Sequence, residues 1–220
     1  MLSTRTNLLL FPFLALLSCG GTAPKDVADV KPVQAPEAPE APATAEPVSP
    51  AETKRARTCP VAPNFRYEHI PLPPEFAPTM PKGDEELFFH PSMFKPEEDG
   101  YFSYVFALDF DDHRVTDSAG AEELMDVYFK GLVDAVGKGK KATYPLEEVK
   151  TSFKPSRREG EFLGTADIYD AFVSGEKVKL RMILRAKNNC VIAAASPKKG
   201  NHAVWSELNT ALSCLPQACQ

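Results

Sequence analysis

The sequence predicts an α+β domain: a largely antiparallel sheet with two main helices packed on it, preceded by a disordered linker. Three observations lead there. From Tyr101 to Phe110, Phe102, Tyr104, Phe106, Leu108 and Phe110 alternate with Ser103, Val105, Ala107 and Asp109, which is the period of a strand. Two stretches, near 121–136 and 201–215, carry the 3.6-residue period of amphipathic helices. Several strand-like runs lie between them, and helices set against an antiparallel sheet make an α+β fold.

The elements follow in order. Proline recurs from Pro60 to Pro81, poor material for a helix or a central strand. With Phe65, Tyr67, Ile70, Leu72 and Phe76 as anchors, this stretch is expected to drape irregularly over the body. Glu86 to His90 reads as a short strand, and Pro96–Gly100 as a turn. The first helix is expected over Ala121–Val136, with Leu124, Val127, Tyr128, Leu132, Ala135 and Val136 on its apolar stripe. Glu122 and Glu123 would open it and Gly137 would stop it, with Lys138, Lys140 and Lys141 beyond, as the helix dipole favours. Leu146–Phe153 is a weak strand candidate and Glu161–Val173 a better one, followed by a hairpin signal at Val173–Glu176. Val178, Leu180, Met182, Leu184 and Ala186 alternate with Lys177, Lys179, Arg181, Ile183 and Arg185, giving one buried and one mostly wet face. Cys190–Ser196 is short and apolar, as a central strand is. Asn201 is a candidate cap for the last helix, whose face is Val204, Trp205, Leu208, Ala211, Leu212 and Leu215, ending at Pro216.

The stretches Glu123–Val136, Gly164–Ala186, Cys190–Ala195 and Trp205–Cys214 together resemble the PsbP-like fold: a long helix, a meander, an apolar strand and a closing aromatic-containing helix. The resemblance covers about a third of the domain and rests on pattern. It implies a binding or scaffolding role and carries no catalytic residues over.

The N-terminus reads as an address. Arg5 supplies a short positive region, and Leu8–Leu17 an apolar run broken only by Pro12, the layout of an export signal over residues 1–18. The run is about half the roughly twenty residues a spanning helix needs. Leu16-Leu17-Ser18-Cys19 resembles the lipobox of bacterial lipoproteins, although Leu17 is larger than usual there. The resemblance implies removal of the signal, lipidation of Cys19 and, with Gly20 instead of Asp next, a place at the outer membrane. The domain would then stand in the periplasm, with surface exposure the alternative. Residues 19–57 are read as a lipidated cysteine followed by a linker. Val33–Pro50 is dominated by Pro, Ala and Glu, which bury too little apolar surface to offset ordering. Residues 58–220 remain as a single domain of ordinary size.

The chain has 25 Lys and Arg against 30 Asp and Glu, a net charge of -5. That balance and export both argue against nucleic acid as a partner. Apart from Cys19, the cysteines are Cys59, Cys190, Cys214 and Cys219. An even set in an exported chain predicts two disulfides. The strand Cys190–Pro197 rises about 23 Å, and a helix Asn201–Cys214 returns about 20 Å. That antiparallel return favours Cys190–Cys214 with Cys59–Cys219. A local Cys214–Cys219 loop with Cys59–Cys190 is the rival.

Chemistry-bearing groups are sparse. If the strand ending at Phe110 continues, Asp109, Asp111 and His113 project from one face as candidate ligands of a divalent cation; the other reading is a polar strand end. His69, His90 and His202 stand alone, and no G-x-S-x-G or H-E-x-x-H occurs. Lys177, Lys179, Arg181 and Arg185 form a basic stripe suited to anionic headgroups or an acidic partner. The functional expectation is therefore a lipid-anchored, non-enzymatic binding or scaffolding module with an envelope protein as possible partner and no cofactor. The alternatives are a metal-dependent or hydrolytic envelope enzyme centred on Asp109, Asp111 and His113, and a carrier of small ligands between the sheet and residues 60–100.

Overall fold

The computed structural model describes residues 58–219; the export signal, Cys19 and the linker fall outside them. The expected α+β architecture is present. Seven strands form one sheet: β1 (Arg66–Leu72), β2 (Gly83–Phe89), β3 (Tyr104–Phe110), β4 (Lys150–Pro155), β5 (Glu161–Tyr169), β6 (Lys177–Lys187) and β7 (Cys190–Ser196). Their order is β1-β2-β3-β7-β6-β5-β4, and every neighbouring pair is antiparallel. Two meanders thus meet where β3 pairs with β7.

The helices α1 (Ser118–Gly139) and α2 (Val204–Leu212) pack on opposite faces. On one, Met125, Phe129 and Val133 of α1 join Phe106, Leu180 and Leu184 in a single apolar core. On the other, Val204, Leu208 and Ala211 of α2 join Val105, Ile192 and Ala194. The central strands show this in sequence: all of β7 is buried, and β3 is buried except at Asp109. They read as continuous apolar runs because both their faces are covered. The segment after β1 straps α1, with Ala77 and Met80 in the core. A methyl at Gly131 would collide with the carbonyl oxygen of Phe76, so glycine permits that close approach.

Several expectations are corrected. The proline-rich stretch is not wholly irregular: Arg66–Leu72 is a strand, and Pro71 fits there because β1 is an edge. The first helix starts earlier and ends later than expected. Gly137 lies inside it, buried, and Glu122 and Glu123 lie beyond its first turn, which Asp117 caps through Gly120 N–H. Leu124 and Tyr128 are buried as expected, but the stripe continues through Met125, Phe129 and Val133, leaving Ala135 exposed. Residues Leu146–Glu148 form a 3₁₀ turn ahead of β4.

The four cysteines pair, but as Cys59–Cys214 and Cys190–Cys219, neither of the expected connectivities. The helix is shorter than its apolar pattern. Asn201 does not cap it, and its nine residues Val204–Leu212 span only about 14 Å. Cys214 falls short of the Cys190 end of β7, and the chain past Pro216 turns again through Gln217–Cys219 to bring Cys219 there.

Candidate functional site

Because α2 is short and lies over β3 and β7, no helix among the described residues lies on the same face of β6, β5 and β4. Register sets the side chains there in rows across the strands. Lys150, Asp167 and Lys179 form one; Ser152, Thr165, Arg181 and Ser196 the next; then Lys154, Leu163, Ile183 and Ala194; then Glu161, Arg185 and Ile192. An apolar row therefore lies between rows carrying Arg181 and Arg185. Leu163 in it is 48% exposed. Alongside, Trp205, Asn209 and Leu212 of α2 form the wall of a groove of about 390 Å³ floored by Leu163, Ile183 and Ala194. A second groove of about 680 Å³ adjoins it past Arg185, towards Arg158, Lys187 and Cys219.

The face is basic in an acidic chain. Arg185 Nε donates to Glu161 Oε2 at 2.8 Å, and Arg158 approaches the same oxygen at 3.8 Å. Burial works to raise the Glu161 carboxyl, but bonds from Arg185 and Ser156 outweigh it and hold it below the usual range. Lys179 pairs with Asp167 at 3.2 Å, and Lys177 with Glu148. Lys150, Lys154 and Arg181 have no ion-pair partner among the described residues. Guanidinium groups beside a partly exposed aliphatic floor are equipped to hold carboxylates or phosphates with an apolar group between them.

The edge of this half-sheet is occupied. The outward N–H groups of β4, at Thr151 and Phe153, donate to Asp126 Oδ1 and Glu122 Oε1 of α1 at 2.6 and 2.7 Å. Thr151 Oγ1 also donates to Asp126. The unpaired donors an edge strand offers to another chain are taken on β4, so access is to the face and not the edge.

A second polar feature lies under α1. Glu85 on β2 is fully buried, and Tyr128 Oη donates to its Oε1 at 2.8 Å. Glu85 Oε2 and Tyr104 Oη have no hydrogen-bond partner among the described residues. Desolvation pushes the Glu85 carboxyl up to about 8, the Tyr128 bond opposes this, and the charge of Glu68 adds to the rise. Nothing in the sequence singled this residue out.

The sequence-predicted candidates do not converge. β3 ends at Phe110, so Asp111 and His113 leave the strand. His113 packs edge-on against Phe110 on the α1 side, whereas Asp109 lies with Cys190 and Cys219 on the other. Among the described residues, Asp109, Cys190 and Cys219 are the one group spaced to hold a metal, and both its sulfurs are joined in a disulfide. His90 accepts from Ser92 N–H at Nδ1 and bonds Glu207 through Nε2 at 3.0 Å. The basic stripe is where its periodicity placed it. The space expected for a small ligand under residues 60–100 is filled on the α1 face by Leu72, Phe76, Ala77 and Met80.

No family model, curated protein or solved structure matches this chain.

Proposed function

We propose that this protein is an outer-membrane lipoprotein, held through Cys19, whose domain is a non-enzymatic binding or scaffolding module of the cell envelope. The observation that carries the reading is the half of the sheet beside α2 on which no described helix lies, where exposed Leu163 and half-buried Ile183 sit between Arg181 and Arg185. Exposed apolar groups rimmed by charge mark interaction surfaces, and the grooves lie open along the sheet instead of enclosing a ligand. Two disulfides suit an oxidising compartment, in keeping with export. Lipid on Cys19 supplies the anchor, since each buried CH₂ contributes about 0.8 kcal/mol.

Fractionation and crosslinking in intact envelopes test this. The parent is expected in the outer-membrane fraction and Cys19→Ser in the soluble periplasmic one. A short amine-reactive crosslinker is expected to give discrete higher-mass species with the parent. A Cys19→Ser protein that stays with the membranes removes the anchor from the reading, and an absence of any crosslinked species removes the binding role.

A further inference from the structure

The half-sheet that no described helix covers has features that select its occupant. The apolar row Ala194–Ile183–Leu163 runs from the foot of α2 outwards to Lys154 on β4. Across four strands it is about 14 Å long. On one side stands α2, about 10 Å thick with its side chains, and Trp205 lines the step between helix and sheet. A flat bilayer surface cannot follow that step down to Ile183, whereas a narrow protein segment can. An acyl chain prefers a cavity that encloses most of its surface, and this groove is open along its length. Strand addition at β4 is blocked because Asp126 and Glu122 hold its outward N–H groups.

Charge narrows the partner further. Arg181 and Lys154 flank the apolar row and have no carboxylate within ion-pair distance among the described residues. Arg185 on the other side is held by Glu161. Two unpaired cations beside a floor of exposed Leu163 and half-buried Ile183 complement carboxylates that alternate with apolar side chains.

We propose that the groove between α2 and the open face of β5 and β6 binds an acidic segment of another protein, its carboxylates on Arg181 and Lys154 and its apolar side chains on Leu163 and Ile183 against Trp205. This rests on the binding-module reading above and specifies its partner.

The test uses the full-length protein in intact envelopes. A photo-crosslinking residue replaces Ser152, an exposed position in the Arg181 row, and in separate proteins replaces Val61 or Val173, exposed positions elsewhere. The expected result is a crosslink from position 152 to one protein, through a peptide in which Asp and Glu outnumber Lys and Arg. Its yield should fall about tenfold or more in Arg181→Glu/Lys154→Glu, since like charges across an interface cost several kcal/mol. An unchanged melting temperature checks that this variant folds. Thr165→Glu, which adds a negative charge beside Arg181 without removing a cation, should also lower the yield. A crosslink from position 152 to lipid, to a segment without acidic excess, or with unchanged yield in both charge variants overturns the proposal. Crosslinks from positions 61 or 173 alone overturn it while leaving the binding role intact; no crosslink from any of the three positions removes both.

Discussion

Glu85 is held on β2 between the sheet and α1, with Tyr128 donating to one oxygen and no partner for the other among the described residues. Burial lifts its folded-state value to about 8 from an ordinary 4.5. The folded protein therefore binds a proton that the unfolded chain has lost over that interval. Stability is fully present below about 4.5 and is lost as the pH rises towards 8, by up to ~1.4 kcal/mol per pH unit. Glu161 and Asp170, whose carboxyls are held below the usual range, contribute in the opposite sense, losing their share only at more acidic pH. Urea unfolding is expected to give a lower stability at pH 8.5 than at pH 5.5, by a few kcal/mol. Glu85→Gln keeps the acceptor for Tyr128 and removes the titration, so its profile over that range should be nearly flat. A slope of equal size in Glu85→Gln would show that another group is responsible. This residue was hidden in sequence because the expected strand began one residue later, at Glu86; its place two before Leu87 on β2 puts it inward. The basic stripe was legible because Lys177, Lys179, Arg181 and Arg185 keep the period of two, interrupted only by Ile183.

At the scale of elements, α1 does more than cover the sheet. Its Asp126 takes both the N–H and the hydroxyl of Thr151, and its Glu122 takes the N–H of Phe153. These bonds close the outer edge of β4. Removing an acceptor that serves two partly buried donors costs about 1–3 kcal/mol. Asp126→Ala should lower the urea midpoint accordingly with an unchanged slope, and the Thr151 amide should exchange faster with deuterium. Unchanged exchange at Thr151 would mean that the edge is protected in some other way. Local pattern made β3, β6 and β7 legible because each has an unbroken period or an unbroken apolar run. β1 was not, because its prolines weigh against a strand and only its edge position, a property of the whole sheet, admits Pro71. Leu124 and Tyr128 of the expected α1 stripe are buried, but the rest was placed to one side because Val127, Leu132 and Ala135 look as apolar as Met125, Phe129 and Val133. Contact with the sheet decides between the two rows, and no local signal reports it.

At the scale of the whole molecule, the order of the strands and the face each helix takes depend on long-range pairing, which a single sequence does not encode locally. The disulfides show the same limit. Strand and helix lengths taken from apolar patterns placed Cys214 beside Cys190, but α2 ends at Leu212 and a further turn brings Cys219 there instead. The resulting pairs both lie on the α2 face, within the core that holds Val204 and Leu208. They fasten the C-terminal side of the groove wall twice: Cys59–Cys214 ties it to the start of the domain, and Cys190–Cys219 ties the chain beyond it to β7. Sequence separations of 155 and 29 correspond to loop-closure contributions of roughly 5 and 3.6 kcal/mol. Replacing Cys59 and Cys214 together with Ala should therefore destabilise more than replacing Cys190 and Cys219, by about 1.5 kcal/mol in denaturant unfolding. Loss of either pair should speed hydrogen exchange in α2 more than in α1, because both crosslinks bracket α2 and neither touches α1. Peptide mapping without reductant is the direct check. A linked Cys190–Cys214 or Cys214–Cys219 peptide would displace the end of α2, and with it the wall on which the groove beside Arg181 depends.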